Sequence, residues 1–259
     1  MEEFSTSVTP VRKAYSVSKK LWIGLFVVLV LFSLGYFTIS LISAGRTLKS
    51  FNQIYGTSDQ EKSAVTFIPY QMAFLEARYA MSKIDSVALS INLTDTVANL
   101  EMGGVVVFSA PLEGSRVSPL LKAMKPEALS NLLRSPARVL SYQATTEKEP
   151  VTVKQAPRDT TEAAQDDEEL PVVVRKAAFF TLHLDNGIHL VVMPHDEVGL
   201  RRIVYTARQN LYLFGRRLAV LLKGDLPQYV PVITIEVSAD DARTLFRALP
   251  ERAQVAIRL

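Results

Sequence analysis

An uninterrupted apolar run near the beginning of the chain is its strongest hydrophobic feature. Residues 21–42 contain no charged side chain, whereas Lys19, Lys20, Arg46 and Lys49 lie on either side. A helix of this length rises about 33 Å, enough to cross a hydrocarbon core of about 30 Å. The run predicts one membrane-spanning helix rather than a cleaved signal peptide, whose apolar stretch is usually about 7–15 residues.

The positive charges predict how this helix is oriented. Residues 1–20 carry Arg12, Lys13, Lys19 and Lys20, and the positive-inside rule makes them a short cytoplasmic arm. We therefore expect a single pass through the inner membrane over residues 21–43. Residues 44–259 are then exported, to the periplasm or the cell exterior.

Helical spacing continues beyond the apolar run. Leu48, Phe51 and Ile54 recur at helix-like intervals, and Gly56 is suited to end a helix. A second helical pattern, interrupted by Pro69, follows over residues 59–83. We interpret residues 44–83 as a helical stalk. Its apolar residues Leu48, Phe51 and Ile54 form a candidate assembly face that packs either on the folded domain or on a partner helix.

Alternating apolar positions after residue 84 predict strands separated by turns and two helical segments. Gly103-Gly104 and Asp185-Asn186-Gly187 are typical of hairpin turns. A helix is expected over residues 119–134, and another follows Ser238, which is a good N-cap with Asp241 three residues later. The predicted fold class is α+β, with a mainly-β exported domain over residues 84–259 and a few short helices. Strands are predicted at residues 87–93, 97–102, 105–110, 138–143, 172–174, 177–183, 188–193, 232–237 and 254–259.

Two segments of unusual charge lie within this domain. Residues 144–171 hold eight acids and no aromatic residue, a composition typical of a flexible, solvated insertion. Residues 201–223 are basic, and Gly215 predicts a hairpin there, with its charges either protecting a sheet edge or attracting an anionic partner. That partner would be lipid headgroups, a wall polymer or the acidic insertion of a second copy. The basic candidates are Arg201, Arg202, Arg208, Arg216, Arg217 and Lys223.

Composition removes several kinds of chemistry. The chain has no cysteine, which excludes disulfides, thiolate metal sites and cysteine nucleophiles. A net charge of +3 gives no indication of a nucleic-acid partner. His183 and His189 flank the predicted turn at Asp185, and together with Thr234 they are weak candidates for a catalytic site. We expect no metal and no cofactor.

The end of the chain, VITIEVSADDARTLFRALPERAQVAIRL from Val232, resembles the last part of the L,D-transpeptidase (YkuD) catalytic domain. Both contain a strand, a polar cap, a short helix and a final strand in this order. Residues 86–111 resemble the opening hairpin of the same family. The resemblance covers about half of residues 84–259 and implies a related fold for the exported domain.

The resemblance also implies a domain that lacks the catalysis of that family. In this register the family's Ser-His-Gly-Cys motif falls on residues 231–234, and its arginine falls on Glu236. The family uses a thiolate to attack a carbonyl, whereas Thr234 here has no adjacent base in the sequence to activate its hydroxyl.

We therefore predict a non-catalytic, membrane-anchored protein that acts as a binding or scaffold subunit of a bacterial cell-envelope complex. Its candidate partners are other envelope proteins and peptidoglycan. Two alternatives stay open. One is a cell-wall-modifying transferase or hydrolase with a Ser, Thr or His site, favoured by a cleft with Thr234 within hydrogen-bond reach of His183 or His189. The other is a subunit of a secretion or motility machine assembled through its anchor helix.

Overall fold

The first helix, α1 (Lys19–Tyr55), contains the apolar run and its continuation in one element. The computed structural model of the chain describes residues 19–56, 67–148, 178–196 and 199–259. The Gly56 N–H ends α1 by donating to the Asn52 carbonyl at 3.0 Å. Residues Trp22–Tyr55 are long and apolar enough to cross a membrane. The chain divides into two units, residues 1–42 and residues 43–259, and every further described element belongs to the second.

The second unit is built on a mixed sheet, which confirms the α+β class. Its described strands follow the order β3-β2-β1-β9-β5-β6-β7-β8-β4, with parallel pairs β1/β9 and β7/β8 and antiparallel pairs elsewhere. The strands are β1 (Ala88–Asn92), β2 (Val97–Met102), β3 (Val105–Pro111), β4 (Gly114–Val117), β5 (Ala137–Ala144), β6 (Phe180–Leu184), β7 (His189–Pro194), β8 (Val232–Val237) and β9 (Gln254–Arg258). The helices are α2 (Phe67–Ser82), α3 (Pro119–Lys122), α4 (Pro126–Arg134), α5 (Leu200–Leu222) and α6 (Ala239–Ala248).

The sheet curls until its two edges become neighbours. Strands β3 and β4 occupy opposite ends of the strand order, yet only Leu112 and Glu113 connect them. Nine strands laid flat would separate these edges by about 38 Å, whereas so short a link spans only about 10 Å. The Leu112 N–H donates to Thr96 at 2.9 Å, and the Glu113 N–H donates to Glu236 at 2.8 Å, so this link contacts both halves of the sheet.

One large apolar core lies on the inner face of the curled sheet. Alternate residues of the central strands point into it, including Ile91, Leu190, Ile235 and Val255. Helices α4 and α6 cover it with one apolar face each. The predicted N-cap of α6 is confirmed, because the Asp241 N–H donates to the Ser238 hydroxyl at 3.1 Å.

Helix α2 packs on the opposite face of β1 and β9. Phe74, Ala77 and Met81 bury themselves against Ala88 and Ala256. This segment, which we interpreted as part of a stalk, therefore contacts the sheet directly. Pro69 lies in the first turn of α2, where the missing N–H of proline costs no hydrogen bond.

The hairpin expected around Gly215 is wrong, because residues 200–222 form the single helix α5. Its 23 residues also contradict the expectation that helices of this domain are short. Apolar residues recur at intervals of three and four throughout this segment, which is a helical period. Gly215 sits within the helix, with nothing within 4 Å of the position of a Cβ. The expected helix over residues 119–134 is two helices, because Pro126 begins α4 after the end of α3.

Both hairpin turns predicted from glycine are confirmed. Gly103 and Gly104 join β2 to β3, and Gly187 lies in the turn between β6 and β7. All three have positive φ values, which glycine adopts without strain. Most of the acidic insertion and the expected strand over residues 172–174 lie outside the described residues.

Candidate functional site

A cleft of about 630 Å³ lies between α5 and the outer face of β7, β8 and β4. Strand register places its polar residues: Thr234 lies opposite Val191 of β7 and Arg116 of β4, and Glu236 lies opposite Met193. These residues alternate with the core residues of the same strands, so their side chains leave the core face. The cleft is lined by Arg116, His189, Val191, Met193, Arg202, Ile203, Thr206, Ala207, Gln209, Asn210, Leu213, Val232, Thr234 and Glu236.

His183 and His189 are cross-strand partners at one end of this region. The turn at Asp185 brings them into register, and their ring centroids lie 4.1 Å apart. Burial, followed by the nearby Arg216 guanidinium, lowers the pKa of His183. Burial, then His183 and Arg216, lowers the pKa of His189 to about 4. Both imidazoles are therefore neutral at pH 7.

The cleft does not join Thr234 to a histidine base. Thr234 and His189 both line it, but within the described residues no hydrogen bond connects Thr234 to either His183 or His189. Activation of a hydroxyl requires a base at about 2.6–3.2 Å. Nor do the described residues contain three or more His, Cys, Asp or Glu grouped as metal ligands. The two histidines thus form a pair without a third ligand.

An ion-pair cluster that the sequence did not reveal lies at the other end of the cleft. Glu236 accepts from His195 Nδ1 at 3.1 Å and is paired with Arg202. His195 Nε2 lies 3.5 Å from a carboxylate oxygen of Glu113. The only sequence sign of this cluster is one acid, Glu236, within the otherwise uncharged strand β8. Burial raises the pKa of Glu236, but the hydrogen bonds from His195 and Arg202 outweigh it and leave the pKa lowered.

The Glu236→Gln variant tests the charge of this cluster. Since the pKa of folded Glu236 lies below its usual 4.5, the carboxylate stabilises the fold fully above that pH, and the stabilisation is lost as the pH falls through the folded value. We expect Glu236→Gln to be less stable than wild type at pH 7, with the difference shrinking below pH 4.5. Thermal unfolding followed by circular dichroism measures it, and a difference that stays constant with pH contradicts the assignment.

The predicted basic residues are spread around α5 rather than along a strand. Arg202 is paired with Glu236, Arg216 lies near the two histidines, and the Arg217 guanidinium lies 5.3 Å from the centroid of the Tyr229 ring. Arg208 and Lys223 are exposed. Arg201 and Arg208 border a second, smaller groove against Phe179.

Helix α5 rests on the sheet through Tyr205, whose ring packs against Phe179 and Val191, and through hydrogen bonds of polar side chains. Tyr205 is its one buried residue, and the Tyr205 hydroxyl lies 2.8 Å from the Thr181 hydroxyl. Gln209 donates to the Tyr205 hydroxyl at 3.0 Å. The other side of α5 is apolar and largely exposed, although Ile203 and Ala207 also line the cleft, and Leu200 and Val204 also line the second groove. Its residues, here called the α5 stripe, are Leu200, Ile203, Val204, Ala207, Leu211, Phe214, Leu218, Leu221 and Leu222.

Part of the candidate assembly face on α1 is packed on the folded domain, and part of it is exposed to solvent. Leu48 and Phe51 pack against the main core, whereas Ile54 is exposed. Polar contacts hold the same segment in place. Asn52 Oδ1 accepts from the Lys125 N–H at 3.0 Å, and the Tyr55 carbonyl accepts from Asn131 at 2.8 Å.

A second apolar surface joins α2 to the β2–β3 hairpin. Met72, Leu75 and Tyr79 recur along one exposed side of α2. At the hairpin tip, a Cβ on Gly104 would come within 2.9 Å of Ser82 at the end of α2, so the two elements touch. We call this surface the α2–β3 patch. Its exposed residues are Met72, Leu75, Tyr79, Met102, Val105, Val106 and Val107.

No protein-family model matches the chain, and no curated protein or solved structure matches it either. The class of the protein is thus defined by its own architecture: a curled α+β sheet domain that follows one helix of membrane-spanning length and composition.

Proposed function

We propose that the chain is a single-pass envelope protein whose folded unit is a non-catalytic binding or scaffold subunit. The observation that carries this proposal is the α2–β3 patch. Single exposed apolar residues are common on proteins, but contiguous exposed patches usually mark interaction sites. Residues 105–110 are also uncharged, although edge strands of soluble proteins commonly carry charges that prevent pairing with another chain.

The partner that best fits this patch is another protein of the same envelope complex. Strand β3 forms one end of the described strand order, and three successive valines are exposed along it. An apolar strand beside an apolar helix side suits a protein surface that buries both. A secretion or motility machine is one kind of complex that would use such a subunit, and peptidoglycan stays a candidate ligand.

The membrane placement belongs to the same proposal. The length and apolar composition of Trp22–Tyr55 support an anchor, and the cations of the N-terminal arm support a cytoplasmic N-terminus at the inner membrane. Residues 44–259 are then periplasmic or extracellular. The resemblance of residues 232–259 to L,D-transpeptidases fits the proposal. In the register of that resemblance Thr234 replaces the nucleophile, and within the described residues it has no hydrogen bond to His183 or His189, as expected of a non-catalytic relative.

Val105→Glu tests the α2–β3 patch. A carboxylate placed in an apolar interface is left buried and unpaired, so we expect the complex to weaken tenfold or more, an effect of about 1.4 kcal/mol or greater. The measurement is the sedimentation of the full-length chain solubilised from its native membranes in mild detergent. We expect the wild-type chain to sediment in a larger complex, and Val105→Glu to sediment alone.

The matched control is Leu140→Glu on the distant strand β5. Leu140 and Val105 are exposed to a similar extent, 70% and 66%, so the two variants add the same charge to comparable surfaces. Leu140→Glu should retain the complex. Retention of the complex by both Val105→Glu and Tyr79→Glu would refute the proposed docking role of the α2–β3 patch.

A further inference from the structure

Helix α5 departs from the arrangement expected for a helix on the surface of a soluble domain, because most of its apolar residues are exposed. Such a helix normally turns its apolar side to the core and its charges to water. Here Tyr205 and Gln209 face the sheet, while Leu200, Leu211 and Leu222 of the α5 stripe are 76%, 70% and 81% exposed. The stripe runs the whole length of the helix, about 35 Å.

The charges of α5 are all of one sign. Its five charged side chains are arginines, and Lys223 follows directly. At 100° per residue, Arg201 and Arg208 border the α5 stripe on one side and Arg217 borders it on the other. A helix with a basic polar side and an exposed apolar stripe is typical of segments that lie in the headgroup region of a bilayer. The α2–β3 patch differs, because Glu76 and Lys83 of both signs lie beside it.

The chain directly after α5 is fixed to the place where α1 joins the folded unit. Ser43 donates a hydrogen bond to the Pro227 carbonyl, and the Tyr229 N–H donates to the Thr47 hydroxyl at 3.2 Å. Ser43 is the residue that follows Ile42, the last residue of the apolar run. Only four residues separate Leu222 from Pro227, so the end of α5 is held near the point where a membrane-spanning α1 would leave the bilayer.

We propose that α5 lies in the surface of the membrane that α1 spans, with the α5 stripe among the upper acyl chains and its bordering arginines on anionic lipid headgroups. The inference rests on the proposed membrane insertion of α1 and is independent of the α2–β3 patch. Arginine stems cover apolar surface while their guanidinium groups bind phosphate oxygens, which suits residues at the border of a buried stripe. The folded unit is thereby held against the bilayer at a second point.

The absence of cysteine allows a direct test on the full-length chain. Leu211→Cys and, as a control, Leu140→Cys each introduce one thiol for an environment-sensitive fluorophore, and both positions are 70% exposed. Each labelled chain is reconstituted into nanodiscs of phosphatidylcholine with about a third phosphatidylglycerol, carrying doxyl-labelled lipid as quencher. We expect quenching at position 211 to exceed that at position 140 at least threefold. It should fall at least twofold in phosphatidylcholine alone or in Arg208→Gln.

Equal quenching at both positions would overturn the lipid inference. So would a label at position 211 that is shielded only after other proteins of the native membrane are added, since that result assigns the α5 stripe to a protein partner. Neither outcome affects the sedimentation test of Val105→Glu, and failure of that test leaves the quenching result unchanged. The circular dichroism spectra of both labelled variants should match the wild-type spectrum, which shows that α5 has stayed folded.

Discussion

Acidification from pH 7 to about 4 is expected to lower the free energy of unfolding by roughly 2–3 kcal/mol through the coupled pair of His189 and His183. The folded pKa of His189 is about 4, whereas an unperturbed histidine has a pKa of 6.5. Between these values the unfolded chain binds more protons than the folded one, so stability falls as the pH falls. The contribution of the neutral His189 side chain to the free energy of unfolding is fully present above pH 6.5, and it is lost as the pH falls toward the folded pKa of about 4. The lowered pKa of His183 acts in the same direction.

Urea unfolding followed by circular dichroism at pH 7 and at about pH 4.5 measures this loss. In His189→Gln the uncharged amide cannot be protonated, so we expect a smaller difference between the two pH values than in wild type. Arg216→Gln offers a second variant, because removal of that cation raises the folded pKa of both histidines. The pH range over which the free energy of unfolding changes then becomes narrower. A pH dependence that is unchanged in both variants would contradict the assignment.

Arg78→Met is expected to destabilise the folded unit by about 3 kcal/mol, because it leaves a buried carboxylate without its cation. Arg78 Nε lies 2.8 Å from Glu101 Oε1, and the Glu101 side chain is only 2% exposed. The buried Ser90 hydroxyl donates to the same oxygen. This pair links α2 to the outer face of the sheet, beside the apolar contacts of Phe74, Ala77 and Met81.

The chain supplies a matched control in a second arginine pair, which joins Arg134 at the end of α4 to Glu76 of α2. Arg134 Nε lies 2.8 Å from Glu76 Oε2, but both side chains are about half exposed, and exposed pairs contribute about 0–1 kcal/mol. We therefore expect Arg134→Met to cost less than 1 kcal/mol in the same urea titration. Adding Glu101→Gln to Arg78→Met should recover part of the lost stability, since the amide is neutral and still accepts from Ser90. Equal losses in Arg78→Met and Arg134→Met would refute the special role of the buried pair.

Local features of the fold could be predicted because neighbouring residues determine them. The glycines at 103, 104 and 187 specify turns by their positive φ values, and the Ser238 hydroxyl caps α6 by accepting from the Asp241 N–H. Strand β8 is recognisable by alternation within six residues. The closure of the sheet could not be predicted, because it depends on pairings such as β4 with β8, whose residues are more than 100 positions apart.

The error at α5 has a physical cause. The apolar positions within residues 211–222 fit the period of a strand as well as that of a helix. Gly215 followed by two arginines is also typical of a turn. The helical period becomes distinct only when it is followed from Leu200 onward. The α5 stripe is largely exposed, so its apolar positions do not mark the side of the helix that packs on the core, which is the assumption on which such predictions depend.

The candidate site likewise contains one part that could be predicted from the sequence and one part that could not. The histidine pair follows from one short turn, so the sequence placed His183 opposite His189. The cluster of Glu236, His195, Arg202 and Glu113 needs the parallel pairing of β7 with β8 and the position of the link between β3 and β4. No local pattern in the sequence encodes these pairings, and the cluster could therefore not be predicted.

The position of β9 determines when the folded unit can form. It is the last of the described strands to be synthesised, yet it lies in the middle of the strand order, between β1 and β5. Until residues 254–258 are available, β1 and β5 have no common neighbour and their apolar faces stay open. The complete sheet therefore forms only after residues 254–258 have been synthesised, and the earlier strands are held open by the order of the strands until then.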